Sequence, residues 1–250
     1  SGAVDARALR QAHHPQGLSG EKVAMEYIIQ LVFGVFPYIA GAVFIVGSLL
    51  RYERGQYTWR AMSSQPFTSG PAFRWASIAF HVGVLLIFFG HLFGLLTPKA
   101  AYHAIGLSSS TKQFVAIIAG GVFGLMCFFG LTYLLYRRLF NPRVRANSAP
   151  MDTFIIALLY LQVIIGLLSI LVSMDHRDGA VMVQLATWAQ HIVTFRADAW
   201  TYVVDVHWIY RLHMFLGFIM FTAFPFSRLV HIWSWPVEYA WRRYQVVRSH

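Results

Sequence analysis

Phe80 to Pro98 reads FHVGVLLIFFGHLFGLLTP, an apolar run without a single charge that nevertheless carries two histidines, His81 and His91. A run of this length is enough to cross most of a hydrocarbon core, which takes about 20 helical residues. An imidazole at membrane depth costs free energy unless it has a partner, so two in one span mark a functional site.

The rest of the chain has the same character. Hydrophobic residues make up 57% of the 250 and charged residues 12%, with a mean hydropathy of +0.54; a soluble domain has about a quarter of its residues charged. The chain reads as an all-α integral membrane protein. In a soluble chain the net charge of +10 would point to nucleic acid, but here it follows from basic residues flanking membrane spans, and no nucleic-acid partner is expected. The single cysteine, Cys127, excludes an intrachain disulfide, a CxxCH haem attachment and a four-cysteine iron–sulfur site within this chain.

Five apolar runs are expected to cross the membrane, at Tyr27–Leu50, Trp75–Leu96, Phe114–Tyr136, Thr153–Met174 and Trp208–Trp233. Inside lipid the backbone must satisfy its own hydrogen bonds, so each run is a helix. The expected organisation is a polar tail over 1–26, with His13 and His14 solvated, a five-helix unit over 27–233, and a C-terminal tail over 234–250. The fifth run holds Arg211 and Arg228 near its ends and Pro225 within it; arginines so placed can snorkel or meet an anionic group. An odd number of spans puts the termini on opposite sides. Loops 51–74 and 137–152 and the tail from 228 carry twelve basic side chains against three acidic ones, and the opposite side eight against seven. The positive-inside rule therefore sets the N-terminus outside and the C-terminus in the cytoplasm, in a multi-pass protein of a bacterial or archaeal cytoplasmic membrane. In the long outer loop, Val181–Phe195 (VMVQLATWAQHIVTF) has the mixture of an interfacial helix. His176, His191 and His207 are expected to be solvent-facing or interfacial rather than ligands.

Four histidines lie inside spans: His81 and His91 in the second, His213 and His231 in the fifth. Bis-histidine ligation of two b-type haems needs one imidazole on each side of each iron, four in all, and two helices with two histidines each supply them. The two spans run in opposite directions, which pairs His81 with His231 near the cytoplasm (inner haem) and His91 with His213 near the outside (outer haem). The spacings are unequal: ten residues, about 15 Å of helix, against eighteen, about 27 Å. The difference closes if the haem planes incline, if the fifth helix bends at Pro225, or if His231 lies just past its end. Gly83, Gly90, Gly94, Gly120, Gly124 and Gly217 would let a large flat group come close. The same four histidines would also suit a haem-free proton relay or transporter, and that alternative stays open.

Longer motifs carry a resemblance. PYIAGAVFIVGSLLRYERGQYTWRAMSSQ (37–65), FHVGVLLIFFGHLFGLLTP, RRLFNPRVRA (137–146), RLHMFLG (211–217) and FPFSRLVHIWSWPVEY (224–239) resemble the gamma subunit of respiratory nitrate reductase, a membrane cytochrome b. The resemblance covers nearly all of the chain from Tyr27 onward; the preceding tail departs from it. It implies a quinol-oxidising electron-transfer subunit with two haem b, fed from the quinone pool, whose quinol site matches Gly90, His91 and Lys112. Electrons would pass to an iron–sulfur beta subunit and then to a molybdenum-containing alpha subunit that reduces nitrate. Arg137, Arg138 and Arg228 are candidates for the inner haem carboxylates, with positive-inside topology as an equally good explanation. The tail WSWPVEYAWRRYQVVRSH (233–250) has the aromatic and arginine content of a docking surface for the iron–sulfur partner. A related cytochrome serving another reductase, acting on sulfur compounds or heterodisulfides, is the alternative within this class.

Overall fold

The computed structural model describes residues 20–55, 59, 70–175 and 178–234, and among these the regular structure is helical. Five segments are long and apolar enough to cross a membrane: Gly20–Gly55, Pro71–Leu96, Ser109–Phe140, Pro150–Asp175 and Trp208–Phe226. Most of tail 1–26, all but the first residue of tail 234–250, and His13, His14 and His176 lie outside the described residues.

The helix ends follow local chemistry. Pro71 opens the second span at a position where its missing N–H is no loss. The Ser108 hydroxyl accepts from the Thr111 N–H at 3.1 Å and starts the third span five residues before its apolar run. The His207 ring accepts from the Ile209 N–H and caps the fifth. One boundary is longer than the apolar run and one is corrected. The first helix is already formed at Gly20, the first described residue of this part of the chain, because GEKVAME contains no helix breaker after the glycine and continues the apolar run from Tyr27 toward the N-terminus. The fifth span is not one helix to Trp233: its α-helix ends at Ala223. Pro225 then sits in a 3₁₀ turn, Phe224–Phe226, Ser227 is extended, and a second 3₁₀ segment, Arg228–Ser234, carries His231.

Close helix packing runs from the second span to the third, then to the fourth, fifth and first. Glycines set the closest approaches. A Cβ at Gly83 would lie 2.9 Å from the Cys127 N and the Phe123 O, and one at Gly130 would lie 2.6 Å from the Ala76 O and the Phe80 N. Gly83 thus seats the third helix, and not a cofactor as its neighbourhood of His81 suggested. Gly124 does the same between third and fourth spans, where a Cβ would meet Leu167 at 2.7 Å. Because the neighbours of Gly130 are backbone atoms that cannot swing aside, Gly130→Ala is expected to push the two helices apart. Overpacking of this kind costs about 1–3 kcal/mol, so the variant should unfold at a lower temperature in detergent; an unchanged midpoint would count against this packing.

The first helix is interrupted by a π turn, Leu31–Val35. Such a turn displaces the regular hydrogen-bond ladder, and the Phe33 carbonyl accepts instead from the Trp188 indole N–H at 3.0 Å. Trp188 belongs to a helix, Ala180–Val193, within the stretch expected to be interfacial. Rather than merely lying on a surface, this helix joins Ile29, Phe33, Ala199, Val203 and Phe218 in a buried cluster. Its His191 is hydrogen-bonded to Asp198 at 2.9 Å and packs on Tyr202, so it is mostly covered. His207 is exposed.

Candidate functional site

Four histidines from the second and fifth spans meet in two pairs. The His81 and His231 ring centres are 6.3 Å apart, and those of His91 and His213 are 6.0 Å apart. Since the earlier histidine of one segment meets the later one of the other, the segments are antiparallel. Ten residues of helix separate His81 from His91, and ten also separate His213 from Ala223, where the fifth helix stops. Both stretches rise about 15 Å. The eight residues from Ala223 to His231 therefore carry the ring sideways and back toward His81, and of the three ways to close the spacing difference the chain uses the last, a histidine beyond the helix end.

Local hydrogen bonds fix the rings. His81 Nδ1–H donates to the Ser77 carbonyl at 2.7 Å, His91 Nδ1–H to the Ile87 carbonyl at 2.8 Å, and His231 Nδ1–H to the Arg228 carbonyl at 2.5 Å. A carbonyl can only accept, so the proton is on Nδ1 and the lone pair of each ring is on Nε2. A histidine that ligates a metal is commonly held in this way. His213 differs: its Nδ1 is buried without a hydrogen-bond partner among the described residues, its ring lies against Gly166, and the Gln162 amide donates to its backbone carbonyl at 3.0 Å with the same nitrogen 3.4 Å from Nε2. Gln162 escaped the reading of the sequence, although an amide in the middle of LLYLQVIIG is itself a signal.

The donor set fits a haem rather than a bare metal ion. Among the described residues no three His, Cys, Asp or Glu side chains come together, so each pair offers two ligands only. Two axial positions are what a haem iron leaves to the protein. Two imidazoles joined to one metal through Nε2 bonds of about 2 Å have ring centres about 6 Å apart, which is the spacing of both pairs.

Around the His91 pair, a Cβ at Gly90 would meet nothing within 4 Å, so the surface beside His91 is open there. Lys112 reaches from the third span to the end of the second: its Nζ donates to the Gly94 carbonyl at 2.8 Å and lies 4.2 Å from the centre of the Tyr102 ring. Tyr102 in turn is 3.1 Å from the Ser109 hydroxyl. The lysine is thus held one turn beyond His91 and does not snorkel away.

Around the His81 pair the arginines are engaged. Arg228 grips Asp152 through two contacts, Nε to Oδ1 at 2.8 Å and a short one from Nη2 to Oδ2. Arg138 is 3.7 Å from the same carboxylate and donates to the Ser148 hydroxyl at 2.8 Å. The Arg137 guanidinium covers the Phe73 ring at 4.0 Å. Asp152, counted in the sequence only as a loop charge, is the centre of this cluster. Arg51 from the first span donates to the Pro225 and Ser227 carbonyls at 2.6 and 2.7 Å. Arg211 donates to the Val204 carbonyl at 3.2 Å.

Comparison with known proteins agrees with this architecture. Residues 29–250 match the model of the family described as nitrate reductase gamma subunit. The chain is 50% identical over 225 residues to the respiratory nitrate reductase 1 gamma chain of Escherichia coli, covering 90% of this chain and 99% of that one. It is 34% identical to the nitrate reductase gamma chain of Bacillus subtilis over 88% of this chain and 98% of that one. A more distant likeness, 25% identical over 65% of this chain and 48% of the other, is to the Hdr-like menaquinol oxidoreductase cytochrome b-like subunit of Archaeoglobus profundus. The chain belongs to the nitrate reductase gamma subunit family: it is the multi-pass membrane-anchor subunit, in the cytoplasmic membrane, of an oxidoreductase complex.

Proposed function

We propose that this chain oxidises quinol and carries the electrons across the membrane to an iron–sulfur beta subunit, from which a molybdenum-containing alpha subunit reduces nitrate on the cytoplasmic side. The observation that carries the proposal is the pair of histidine pairs, each with the spacing of a two-imidazole metal site and separated along the second span by about 15 Å. When bound, two b-type haems supply one-electron carriers at two depths, which a hydrocarbon core of about 30 Å requires because no single carrier at one face spans it. Loop charges set the His91 pair toward the outside and the His81 pair toward the cytoplasm.

The chain's own residues do three things. His81 with His231, and His91 with His213, present coordinating Nε2 atoms at the inner and outer depth. Gly90, His91 and Lys112 form the quinol site: Gly90 leaves room beside His91 for a flat ring, and the Lys112 ammonium, steadied by the Gly94 carbonyl and Tyr102, donates to a quinol oxygen. Protons leaving the quinol hydroxyls are released on the outer side. Arg137, Arg138 and Arg228 are the guanidinium candidates for the inner haem carboxylates, with positive-inside topology as an equally good explanation of their place.

A visible spectrum of the purified protein with and without dithionite tests the haem content: a reduced α band is expected, and its absence would eliminate the cytochrome and leave the relay or transporter. For Lys112→Ala, one charge-assisted hydrogen bond is lost, worth about 1.5–3 kcal/mol. That corresponds to a fall of roughly ten- to a hundredfold in kcat/KM for quinol, with both haems retained; unchanged quinol kinetics would remove Lys112 from the site. The likeness to the Archaeoglobus profundus subunit favours a second reading, in which the same cytochrome serves a different reductase. Co-purification of the partner subunits separates the two.

A further inference from the structure

His231 is the one histidine of the four that stands outside an α-helix, so its place is not set by an α-helical ladder. Its position has to come from tertiary ties, and the structure shows two. From the first span, Arg51 holds the carbonyls of Pro225 and Ser227 at 2.6 and 2.7 Å. Gly47 allows Pro225 to approach closely, since a Cβ there would come within 2.7 Å of its ring. From the fourth span, Asp152 holds Arg228 through both carboxylate oxygens, and the Arg228 carbonyl accepts from His231 Nδ1. The carboxylate is itself pinned by the Ala149 N–H at 3.1 Å and by Arg138. On either side of Arg228, Ser227 and Val230 are 2% and 0% exposed.

We propose that Asp152 is a positioning residue for the inner haem ligand: through Arg228 it fixes the orientation of the His231 imidazole and thereby the potential of the inner haem, with Arg51 as the second clamp. The proposal rests on the haem reading above. The His81 side of the pair needs no such device, because His81 sits within the intact second helix and bonds its own preceding turn. Outer partners that orient a ligating histidine tune both its basicity and the metal it binds.

The test uses the full chain with its haems, as wild type and as Asp152→Asn, Asp152→Glu and Arg51→Gln, followed by redox titration and low-temperature EPR of the oxidised protein. Loosening the ring spreads its orientations, so the inner haem's low-spin ferric signal should broaden in Asp152→Asn and in Arg51→Gln, and sharpen again in Asp152→Glu. The outer haem should keep its wild-type midpoint and line in all of them, which also shows that the bundle is intact. A purely electrostatic influence behaves differently. Asp152→Asn removes a negative charge and raises the inner midpoint, Arg51→Gln removes a positive one and lowers it, and both lines stay sharp. Sharp inner lines in both variants, with or without midpoint shifts, or equal broadening of both haems, would overturn the proposal. A wild-type protein without a reduced α band would instead overturn the haem reading, before any variant is compared.

Discussion

Replacing His91 or His213 by alanine is expected to abolish quinol oxidation while leaving the inner haem in place. In the proposed reading His91 and His213 would together hold the outer haem, so either substitution would remove half of its protein ligation, and a b-type haem would have no covalent attachment in a chain whose single cysteine, Cys127, is buried between helices. About half of the reduced α-band absorbance should disappear. Quinol then has no electron acceptor beside Gly90 and Lys112, and the loss in turnover should be far larger than the ten- to a hundredfold expected for Lys112→Ala alone. His213→Ala carries an added cost. Its ring fills space against Gly166 and beside Gln162, and a cavity there leaves the Gln162 amide without its ring neighbour. The His91 ring is exposed at the face of its helix, so His91→Ala is the cleaner variant, and stopped-flow mixing with a quinol analogue gives the readout. Quinol-driven haem reduction at the wild-type rate in His91→Ala would contradict the site.

His81→Ala and His231→Ala are expected to behave oppositely. The outer pair is untouched, so quinol should still reduce one haem, but passage to the iron–sulfur partner should stop and nitrate reduction by the assembled complex should fall to background. The two variants need not be equally stable. His81 lies on a regular helix whose backbone does not depend on its ring. The His231 segment is held by the Arg228 carbonyl, Arg51 and Asp152. Removing the ring frees that carbonyl and loosens the segment. Nitrate-reducing activity with reduced viologen dye, which bypasses the membrane chain, should survive in a complex that still assembles. Its loss would mean that the substitution acts on assembly rather than on electron transfer.

The spans could be read from hydropathy because lipid leaves a backbone no alternative to the helix. That the histidines meet as His81 with His231 and His91 with His213 could be read because only two spans carried them and the second and fifth spans run in opposite directions. The sequence was less informative wherever the deciding contact was remote. Pro225 advertised a disturbance, but where the chain goes next depends on Gly47 and Arg51, 178 and 174 residues away. Asp152 and Arg228 were read as loop and helix-end charges, since nothing in their own neighbourhoods shows that they meet. The π turn at Leu31–Val35 has no residue signature, and only the Trp188 indole on the Phe33 carbonyl reveals how it is satisfied. Glycine positions announced close approach but not the partner, so Gly83 was assigned to a cofactor when its neighbour is the backbone of the third helix. Gln162 carries no charge, so nothing in its own residue type distinguishes a helix-packing amide from one that meets a histidine of another span.

The central claim is that two haems are bound, each by one histidine from the second span and one from the fifth, in crossed order along the chain. Redox titration of the four single alanine variants, followed at the α band of the purified protein, tests it most directly. His81→Ala and His231→Ala should lose the same haem, and His91→Ala and His213→Ala the other. If His81→Ala and His231→Ala lost different haems, the pairing would be wrong, and if all four kept the wild-type titration curve, these histidines would not be the ligands.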